Sequence, residues 1–322
     1  MSIIVGAYAA SPSGQDPWDA NDEAAFMAGL RDMESVGGLE IGYYDDLHRH
    51  DAAWLLRHLK ADWRYLVTSL PGTMNRLAVD PRHGLASTDD AGRKSALDYA
   101  EKIRASIQTL NDHCQEQVVK AVILHAAPRN LAPAGSLAAE RLFASLAELA
   151  DRDWHGAELW LEHCDSPSRH APPAKGFLRL EDEIAVVSRL QGTKTKLGML
   201  INWGRSALET RNPETPREHI AKAKAQNVLK GVMFSGCTEG DDLYGHWQDS
   251  HAPFAPSSLA DGRSSSLMTV ERAAACLQAG HGANDLEIGI KIQALPATMS
   301  VPDRLKLIAD SLLAVEDAKA KA

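Results

Sequence analysis

The chain has 322 residues, of which 44% are hydrophobic and 24% are charged, and its formal net charge at pH 7 is -9. This length suits two average domains or one large α/β barrel, and the composition is typical of a globular protein with a sizeable core. The acidic balance and the lack of any Lys/Arg block argue against a nucleic-acid-binding surface. An anionic substrate stays compatible with this charge, because one buried arginine or lysine outweighs a distant net charge.

The N-terminal stretch MSIIVGAYAASPSG has neither a basic segment nor a long apolar run, so it predicts a short buried strand rather than a signal peptide. No stretch of the chain reaches the roughly 20 apolar residues of a membrane span. The four cysteines show no C-x-x-C spacing, which indicates reduced thiols rather than a disulfide framework or a zinc knot. We therefore expect a cytoplasmic protein without membrane contact.

Short runs rich in Ile, Val and Leu alternate along the chain with longer segments of helical character. The predicted strands span residues 2–8, 39–44, 64–70, 120–126, 157–163, 196–202, 230–236 and 286–293. The predicted helices span residues 20–35, 51–61, 89–112, 136–151, 180–190, 216–226, 266–279 and 301–317. This alternation predicts an α/β fold, a single (β/α)₈ TIM barrel that forms one domain over residues 1–322. A doubly wound open sheet is the alternative, but AASPSGQDPWD after the first strand contains no G-x-G-x-x-G motif.

Long βα loops are expected after strands three, five and seven, over residues 69–88, 164–177 and 236–265. In a TIM barrel such loops lie on the face that carries the active site. The third loop contains YGHWQDSHAPF, which is the stretch of the chain densest in histidine, aspartate and aromatic residues. We expect this loop to be a lid that supplies Trp247, Asp249 and His251 to a substrate.

The last strand predicts a lysine inside the barrel. Alternation along LEIGIKIQ turns the isoleucines toward the helices and turns Lys291 inward. A buried lysine costs several kcal/mol unless it is paired or functional. Lys291 therefore either forms an ion pair with Glu40, Glu158 or Glu162, or acts as a substrate ligand or as a base of lowered pKa.

Three further strands end in side chains that can do chemistry. Glu162 closes strand five, where catalytic carboxylates lie in barrels, and His125 closes strand four. Strand six ends at Asn202, followed by Trp203 and Arg205. A guanidinium there could hold a phosphate, sulfonate or carboxylate bidentately, or it could form a salt bridge with Glu162 or Glu209.

This pattern resembles the xylose-isomerase-like superfamily, the sugar phosphate isomerases and epimerases related to endonuclease IV. The resemblance rests on L-E-I-G in strand two, on His125 at the end of strand four and on L-W-L-E-H in strand five. The opening IIVGAYAASPSG is also similar to a bacterial subfamily without an assigned function. The superfamily implies a barrel in which Glu, Asp, His and Glu from strands five to eight hold a divalent metal, and in which carboxylates move a proton on a sugar.

The chain departs from this ligand set. The corresponding positions hold Glu162, Asn202, Ser235 and Lys291. Amide, hydroxyl and ammonium groups are poor ligands for such an ion, which needs anionic oxygen or imidazole donors. Either the metal has been lost, or Glu162 combines with His246, Asp249 and His251 of the third loop to hold a divalent ion such as Mn, Mg, Zn or Co.

The resemblance and the strand ends together predict a sugar or sugar-acid isomerase or epimerase that moves a proton on a small polyhydroxylated substrate. Glu162 is the expected base, His125 or His251 the acid, and Lys291 a group that stabilises an enediolate with Arg205. The expected substrate-binding residues are Glu40, Trp160, Asn202, Trp203, Arg205, Trp247, Asp249 and His251. A Schiff-base aldolase or lyase acting through Lys291, and a non-catalytic sugar-binding pseudoenzyme, are the alternatives. The sequence is also compatible with a homo-oligomer.

Overall fold

The computed structural model describes residues 2–129, 136–168 and 172–322. Its eight strands close into a barrel in the order of the chain, and every neighbouring pair is parallel. The strands are β1 (Ile3–Val5), β2 (Val36–Gly42), β3 (Arg64–Thr68), β4 (Val119–Leu124), β5 (Glu158–His163), β6 (Leu197–Asn202), β7 (Leu229–Phe234) and β8 (Glu287–Ile290). The predicted TIM barrel is confirmed.

Helices surround the barrel on its outer side. They are α1 (Ala20–Arg31), α2 (Ala52–His58), α3 (Leu70–Val79), α4 (Asp90–Cys114), α5 (Leu137–Ala150), α6 (Leu180–Arg189), α7 (Trp203–Thr210), α8 (Thr215–Ala225), α9 (Val270–Gly280) and α10 (Val301–Lys321). Two 3₁₀ turns, Ala7–Ala9 and Pro12–Gly14, follow β1. Among the residues that the structure describes, no helix is long and apolar enough to cross a membrane.

Two of these helices lie where the sequence predicts none. The prediction of a long loop over residues 69–88 is wrong for the first half of that range, because α3 begins directly after β3. Pro71 suggests a turn in the sequence, but a proline is well tolerated in the first turn of a helix, where its missing N–H has no partner to lose. Helix α7 follows β6 directly, and the side chain of Asn202 caps it by accepting a hydrogen bond from the Arg205 amide at 3.2 Å.

The lower part of the barrel is filled by apolar side chains. The interior cluster contains Ile4, Leu66, Ala121, Ile123, Trp160, Leu200 and Met233. Trp160 is fully buried in it, and its Nε1 donates to Glu158 at 2.9 Å. The expectation that Trp160 binds substrate is therefore wrong, because its ring packs inside the barrel rather than facing the loops.

Of the other two tryptophans expected at the site, Trp203 also packs elsewhere. It is completely buried in the hydrophobic core that includes the outward faces of the strands and the helices. The corrections for Trp160 and Trp203 have one cause: a large apolar ring gains more from a packed core than from a polar barrel mouth. Trp247 is half-buried and packs against that core on one side, and its contact with a substrate stays a prediction.

The loop between β7 and α9 is long, as predicted, and it folds back onto the ends of the strands. Gly236 and Ala252 exchange backbone hydrogen bonds of 3.0 and 2.9 Å, and the Gln293 amide donates to the His251 carbonyl at 2.9 Å. The loop after β5 is also long, although residues 169–171 lie outside the described part of the chain. Both loops reach the end of the barrel where the strands finish.

Candidate active site

Glu162 lies at the centre of a buried polar cluster at the carboxyl end of the barrel. Its Oε2 lies 2.7 Å from Arg205 Nη1 and 2.8 Å from His125 Nε2. Its Oε1 accepts a hydrogen bond from Asn202 Nδ2 at 3.0 Å and lies 3.7 Å from Lys291 Nζ. The sequence prediction that these residues meet at the strand ends is confirmed by these distances. We call Glu40, Glu162, Arg205, Asp249 and Lys291 the inner cluster.

Arg205 joins Glu162 to the two long loops. Its Nε lies 3.2 Å from Asp249 Oδ2, and the same oxygen lies 3.0 Å from Lys175 Nζ. Asp249 comes from the loop after β7 and Lys175 from the loop after β5, so both loops are tied to the barrel through charge pairs. Burial opposes the charged form of Asp249, but Arg205 and Lys175 hold the pKa of this carboxyl well below its usual range.

Lys291 and Glu40 form the other half of the inner cluster. Lys291 Nζ lies 2.9 Å from Glu40 Oε1, and both side chains are completely buried. Gly6 makes room for this pair, because a Cβ at that position would lie 2.9 Å from both Glu40 Oε2 and Lys291 Cγ. The ion pair expected for Lys291 therefore exists, with Glu40 as the nearer partner.

Some polar atoms of the inner cluster lack a hydrogen-bond partner within the described residues. They are both carboxylate oxygens of Glu40, Nζ of Lys291 and Nη2 of Arg205. The short Lys291–Glu40 separation does not have the angles of a hydrogen bond. Buried polar atoms are almost always satisfied in folded proteins, so these atoms are available to hydrogen-bond a further molecule, water or a ligand.

The two glutamates of the inner cluster differ in proton affinity. Burial raises the pKa of Glu40, and the nearby charge of Glu162 raises it further, against the opposing effect of Lys291. Burial also acts to raise the pKa of Glu162, but Arg205, Lys291 and the hydrogen bond from His125 hold it well below its usual range. Glu162 is therefore held as an anion, and Glu40 is the glutamate of the cluster whose pKa is shifted toward the protonated form.

His125 is held between two neighbours. Its Nε2 faces Glu162, and its Nδ1 lies 3.0 Å from Ser69 Oγ, where β3 ends. Burial lowers the pKa of His125, and the cations Arg205 and Lys291 add to this effect against the attraction of Glu162. A neutral ring here donates from Nε2 to Glu162 and accepts from Ser69 at Nδ1. His125 thus fixes the orientation of the Glu162 carboxylate.

His251 lies at the mouth of the barrel. Its Nδ1 lies 2.5 Å from Ser235 Oγ and 3.5 Å from Asp249 Oδ1. Its φ of +51° is in the left-handed region, which a non-glycine residue enters only when its surroundings fix the backbone. With Tyr8 and Gln293 it lines a cavity of about 780 Å³ that opens to solvent. The Tyr8 ring centroid lies 5.6 Å from Lys291 Nζ, so Tyr8 separates this cavity from the inner cluster.

The inner cluster does not fit the divalent metal that the resemblance implies. The only carboxylate at the expected ligand positions, Glu162, is already surrounded by Arg205, Lys291, His125 and Asn202. A divalent cation would be repelled by the guanidinium and the ammonium group at these distances. A reaction in the barrel is therefore expected to use the side chains of the inner cluster without a divalent metal among them.

The alternative metal site in the loop is wrong as well. The side chain of His246 is exposed, and Asp249 is engaged by Arg205 and Lys175. Among the described residues, Glu162, His246, Asp249 and His251 do not bring three ligand atoms together, and the group that does lies elsewhere. The spacing H-x-x-D-x-H allowed convergence, but the fold uses the aspartate for ion pairs instead.

Sequence reasoning missed several residues of the site. Lys175, Tyr8, Ser69 and Ser235 all contact its charged or histidine side chains. Tyr8 and Ser69 lie at the C-terminal ends of predicted strands, which is the one signal that could have identified them. Lys175 lies in a loop with no periodicity, and only the folded loop places it beside Asp249.

Comparison with known proteins agrees with this architecture. A sequence model of the family described as Domain of unknown function (DUF4862) matches residues 4–307. The uncharacterized protein STM3670 of Salmonella typhimurium is 34% identical over 309 residues, which cover 96% of this chain and 95% of that protein. These matches run through all eight strands of the barrel.

Solved structures share the fold at low sequence identity. An L-ribulose 3-epimerase superposes with a TM-score of 0.61 at 14% identity, covering 100% of this chain and 97% of that chain. The IOLI protein with a binding zinc atom has a TM-score of 0.59 at 11% identity, covering 91% and 96%. A D-allulose 3-epimerase from Methylomonas sp. in complex with D-allulose has a TM-score of 0.55 at 15% identity, covering 100% and 94%. The chain belongs to the family described as Domain of unknown function (DUF4862), and its fold is that of the xylose isomerase-like TIM barrels.

Proposed function

We propose that the protein is an isomerase or epimerase that moves a proton between carbons of a small polyhydroxylated substrate. In this proposal the cations Lys291 and Arg205 take the place of a divalent metal in the barrel. The observation that carries the proposal is the group of buried polar atoms on Glu40, Lys291 and Arg205 that form no hydrogen bond within the described residues. They offer a proton acceptor beside two cationic donors, which is the set of groups that enolisation next to a carbonyl requires.

Glu40 is the proposed base. Its pKa is raised by burial, which brings its proton affinity toward that of a catalyst working near neutral pH. Glu162, the base expected from the sequence, is held as an anion by Arg205 and Lys291 and accepts hydrogen bonds with both oxygens. We assign Glu162 the role of holding the two cations in place.

Lys291 and Arg205 are the proposed stabilisers of the negative oxygen that develops when the substrate loses its proton. Burial acts against both charges, but Glu162 and Glu40 raise the pKa of Lys291, so this side chain stays an ammonium group. Fixed cationic donors in a water-poor site are worth more than the same groups in water, because they need no reorientation as charge develops.

Glu40 is proposed to return the proton that it has taken up, while His251 donates a hydrogen bond to the substrate. His251 is neutral at pH 7, because burial lowers its pKa from 6.5 to about 3, and a neutral imidazole still carries one N–H. Its position in the wall of the mouth cavity places it between the inner cluster and solvent. His125 has no such position, since both of its ring nitrogens already face partners.

The substrate class is proposed from two observations. The cavity at the mouth of the barrel carries hydroxyl, imidazole and amide groups of Tyr8, His251 and Gln293 in its walls, and these groups can hydrogen-bond a ligand rich in hydroxyl groups. Structures named as epimerases of L-ribulose and D-allulose share the fold over nearly the whole chain. We propose a ketose, aldose or sugar acid of similar size as the substrate.

A Schiff-base reaction at Lys291 is not favoured by the structure. A nucleophilic lysine needs a lowered pKa, which neighbouring cations or an apolar pocket provide. Lys291 instead lies 2.9 Å from Glu40 and 3.7 Å from Glu162, and these carboxylates raise its pKa.

Deuterium exchange tests the proposal. The protein is incubated in D₂O with a panel of pentoses, hexoses, ketoses and sugar acids, and the carbon-bound protons are followed by NMR. We expect one class to lose a proton signal next to its carbonyl, and the rate to stay unchanged after dialysis against EDTA. Binding in a thermal-shift screen without exchange for any sugar would contradict the proposal and favour a sugar-binding protein. Exchange that stops after chelation although the melting temperature is unchanged, and that returns with a metal, would contradict its metal-independent form.

A further inference from the structure

A second polar cluster lies on the outer side of β5, facing the helices. His163 follows Glu162 in the strand, so its side chain points the opposite way, and it is completely buried. Glu209 of α7 and His219 of α8 complete the group, with side chains 13% and 6% exposed. The ligand atoms of these three residues lie within 4.8 Å of one another. We call His163, Glu209 and His219, together with Glu183 of α6, the outer cluster.

The distances between these atoms suit a small metal ion. His163 Nε2 lies 3.2 Å from Glu209 Oε2, and His219 Nε2 lies 3.8 Å from Glu209 Oε1. Bond lengths of about 2.0–2.1 Å to zinc place neighbouring tetrahedral ligand atoms about 3.3–3.4 Å apart. The two separations observed here lie on either side of that value, so an ion between the three residues needs only small side-chain shifts.

In both imidazole rings the Nδ1 atom contacts an oxygen, as the second ring nitrogen of a metal-binding histidine usually does. The Nδ1 of His163 lies 2.6 Å from Glu183 Oε2, and the Nδ1 of His219 lies 3.1 Å from Ser206 Oγ. A histidine ligand usually donates its second ring N–H to a carboxylate or another oxygen, which fixes the ring and its tautomer. Here that arrangement turns both Nε2 atoms toward Glu209.

Glu183 adds a buried carboxylate to the outer cluster. This side chain is completely buried, and its Oε1 has no hydrogen-bond partner within the described residues although its Oε2 contacts His163. A buried carboxylate that is held on one side only is an expensive feature unless a positive charge is bound nearby. Proton and metal are the two cations that can supply this charge.

We propose that His163, Glu209 and His219 bind a divalent transition metal, zinc being the best match to two imidazoles and one carboxylate. Magnesium and calcium are poor matches, because they prefer all-oxygen sites. Three protein ligands leave a fourth position, on the side where Glu209 is partly exposed. The proposal is independent of the reaction in the barrel, since none of these side chains belongs to the inner cluster.

The ion would fix helix α7 and the loop after β5 to the barrel. Arg205 and Glu209 lie one turn apart on α7, and the Ser166 amide of the loop donates to Glu209 Oε2 at 2.8 Å. The same loop carries Lys175, which pairs with Asp249. Metal binding in the outer cluster would therefore stabilise the elements that hold the inner cluster, without contact with the substrate.

The competing explanation is an ion pair without metal. Although burial acts to lower it, the carboxylates of Glu183 and Glu209 raise the pKa of His163 to about 10. A protonated His163 between two carboxylates would then account for the outer cluster alone. The experiment must separate a bound metal from this proton.

The test uses the full-length protein, stripped with a chelator and dialysed against zinc or cobalt at micromolar concentration. We expect one equivalent of zinc by mass spectrometry of the metal, visible absorption bands of four-coordinate Co²⁺, and a higher melting temperature with metal than without. Glu209→Gln and His219→Gln should lose the metal and the increase in melting temperature. Glu183→Gln should weaken zinc binding by about 10- to 100-fold, as removal of a partner of a ligating histidine does.

His246→Gln and His251→Gln are the matched controls, since both histidines lie in the loop after β7 and neither belongs to the outer cluster; both should keep the full equivalent. If a ligand variant fails to fold, anomalous scattering at the zinc edge from wild-type crystals locates the ion directly. A protein that binds no metal under these conditions, or that keeps its zinc in both ligand variants, or an anomalous peak elsewhere, would overturn the proposal in favour of the ion pair.

Discussion

Glu162 and His163 are neighbours in the chain, yet their side chains build two different clusters on opposite sides of β5. The same is true of α7, which sends Arg205 to the inner cluster and Glu209 to the outer cluster. The inner cluster surrounds a carboxylate with a guanidinium and an ammonium group, whereas the outer cluster surrounds a carboxylate with imidazoles. Metal affinity is therefore decided by the partners of a carboxylate and not by the carboxylate alone.

The comparison also separates two uses of buried charge. In the inner cluster, buried atoms of Lys291, Arg205 and Glu40 form no hydrogen bond within the described residues, and the two cations among them suit an anionic intermediate. In the outer cluster, a fully buried oxygen of Glu183 forms no hydrogen bond within the described residues, and a cation would satisfy it. Four predictions test this contrast, in order of decreasing effect.

The largest effect is expected for Glu162→Gln. Removing this anion leaves Arg205 and Lys291 buried without their common partner, so the free energy of unfolding should fall by about 3–5 kcal/mol in urea denaturation. His163→Gln is the matched change in the outer cluster. It should cost less, because Glu183, whose pKa is raised to about 7 by burial, can take up a proton and become neutral. A larger loss for His163→Gln than for Glu162→Gln would reverse the comparison.

Glu40→Gln should abolish most of the chemistry, while Lys291 keeps Glu162 as a charged partner. A general base contributes about 10²- to 10⁴-fold, so we expect at least a 100-fold slower deuterium exchange by NMR. Glu287→Gln is the control, because Glu287 is a buried glutamate of the same barrel that pairs with Arg64 and Lys120 at its opposite end. Equal rates for Glu40→Gln and wild type would remove Glu40 from the mechanism.

His251 should make the protein sensitive to acid. Burial lowers its pKa from 6.5 to about 3, so below pH 6.5 the unfolded chain binds a proton that the folded protein does not bind. Stability from this group is present above pH 6.5 and is lost as the pH falls toward 3, by about 2 kcal/mol between pH 7 and pH 5. The polar and charged groups facing its ring are Ser235, Asp249, Arg205, Lys175 and Lys291.

Urea denaturation at pH 7 and pH 5 measures this effect. His251→Gln should lose about 2 kcal/mol less than the wild type over this interval, because glutamine does not titrate. His246→Gln, in the same loop but exposed, should follow the wild type. An equal loss in His251→Gln and the wild type would show that the ring is solvated, contrary to the packing described here.

The smallest effect is expected for His246→Gln itself. This side chain is exposed and belongs to neither cluster, so the free energy of unfolding should change by less than about 0.5 kcal/mol. Zinc content and deuterium exchange should equal those of the wild type. A loss of either would show that the loop contributes a ligand that the structure does not place at a cluster.

Local patterns were sufficient for much of the site. Alternation in LEIGIKIQ predicted the inward Lys291, and the strand ends predicted that Glu162, His125 and Asn202 meet. Hydrophobic periodicity could not predict Trp160 or Trp203, because an aromatic ring at a strand end suits a packed core and a sugar site equally well. Nor could it predict α3, whose proline and glycine also suit a turn.

The outer cluster shows the limit most clearly. His163, Glu209 and His219 come from three elements, and nothing in their local sequence indicates that their ligand atoms lie within 4.8 Å. The sequence by itself determined the barrel, the face that carries the site and the loss of the expected metal ligands, because these follow from side-chain period and residue type. Only the tertiary structure decided which charges meet and how burial and neighbouring charges shift the pKa of each carboxylate, because these depend on distances between residues far apart in the chain.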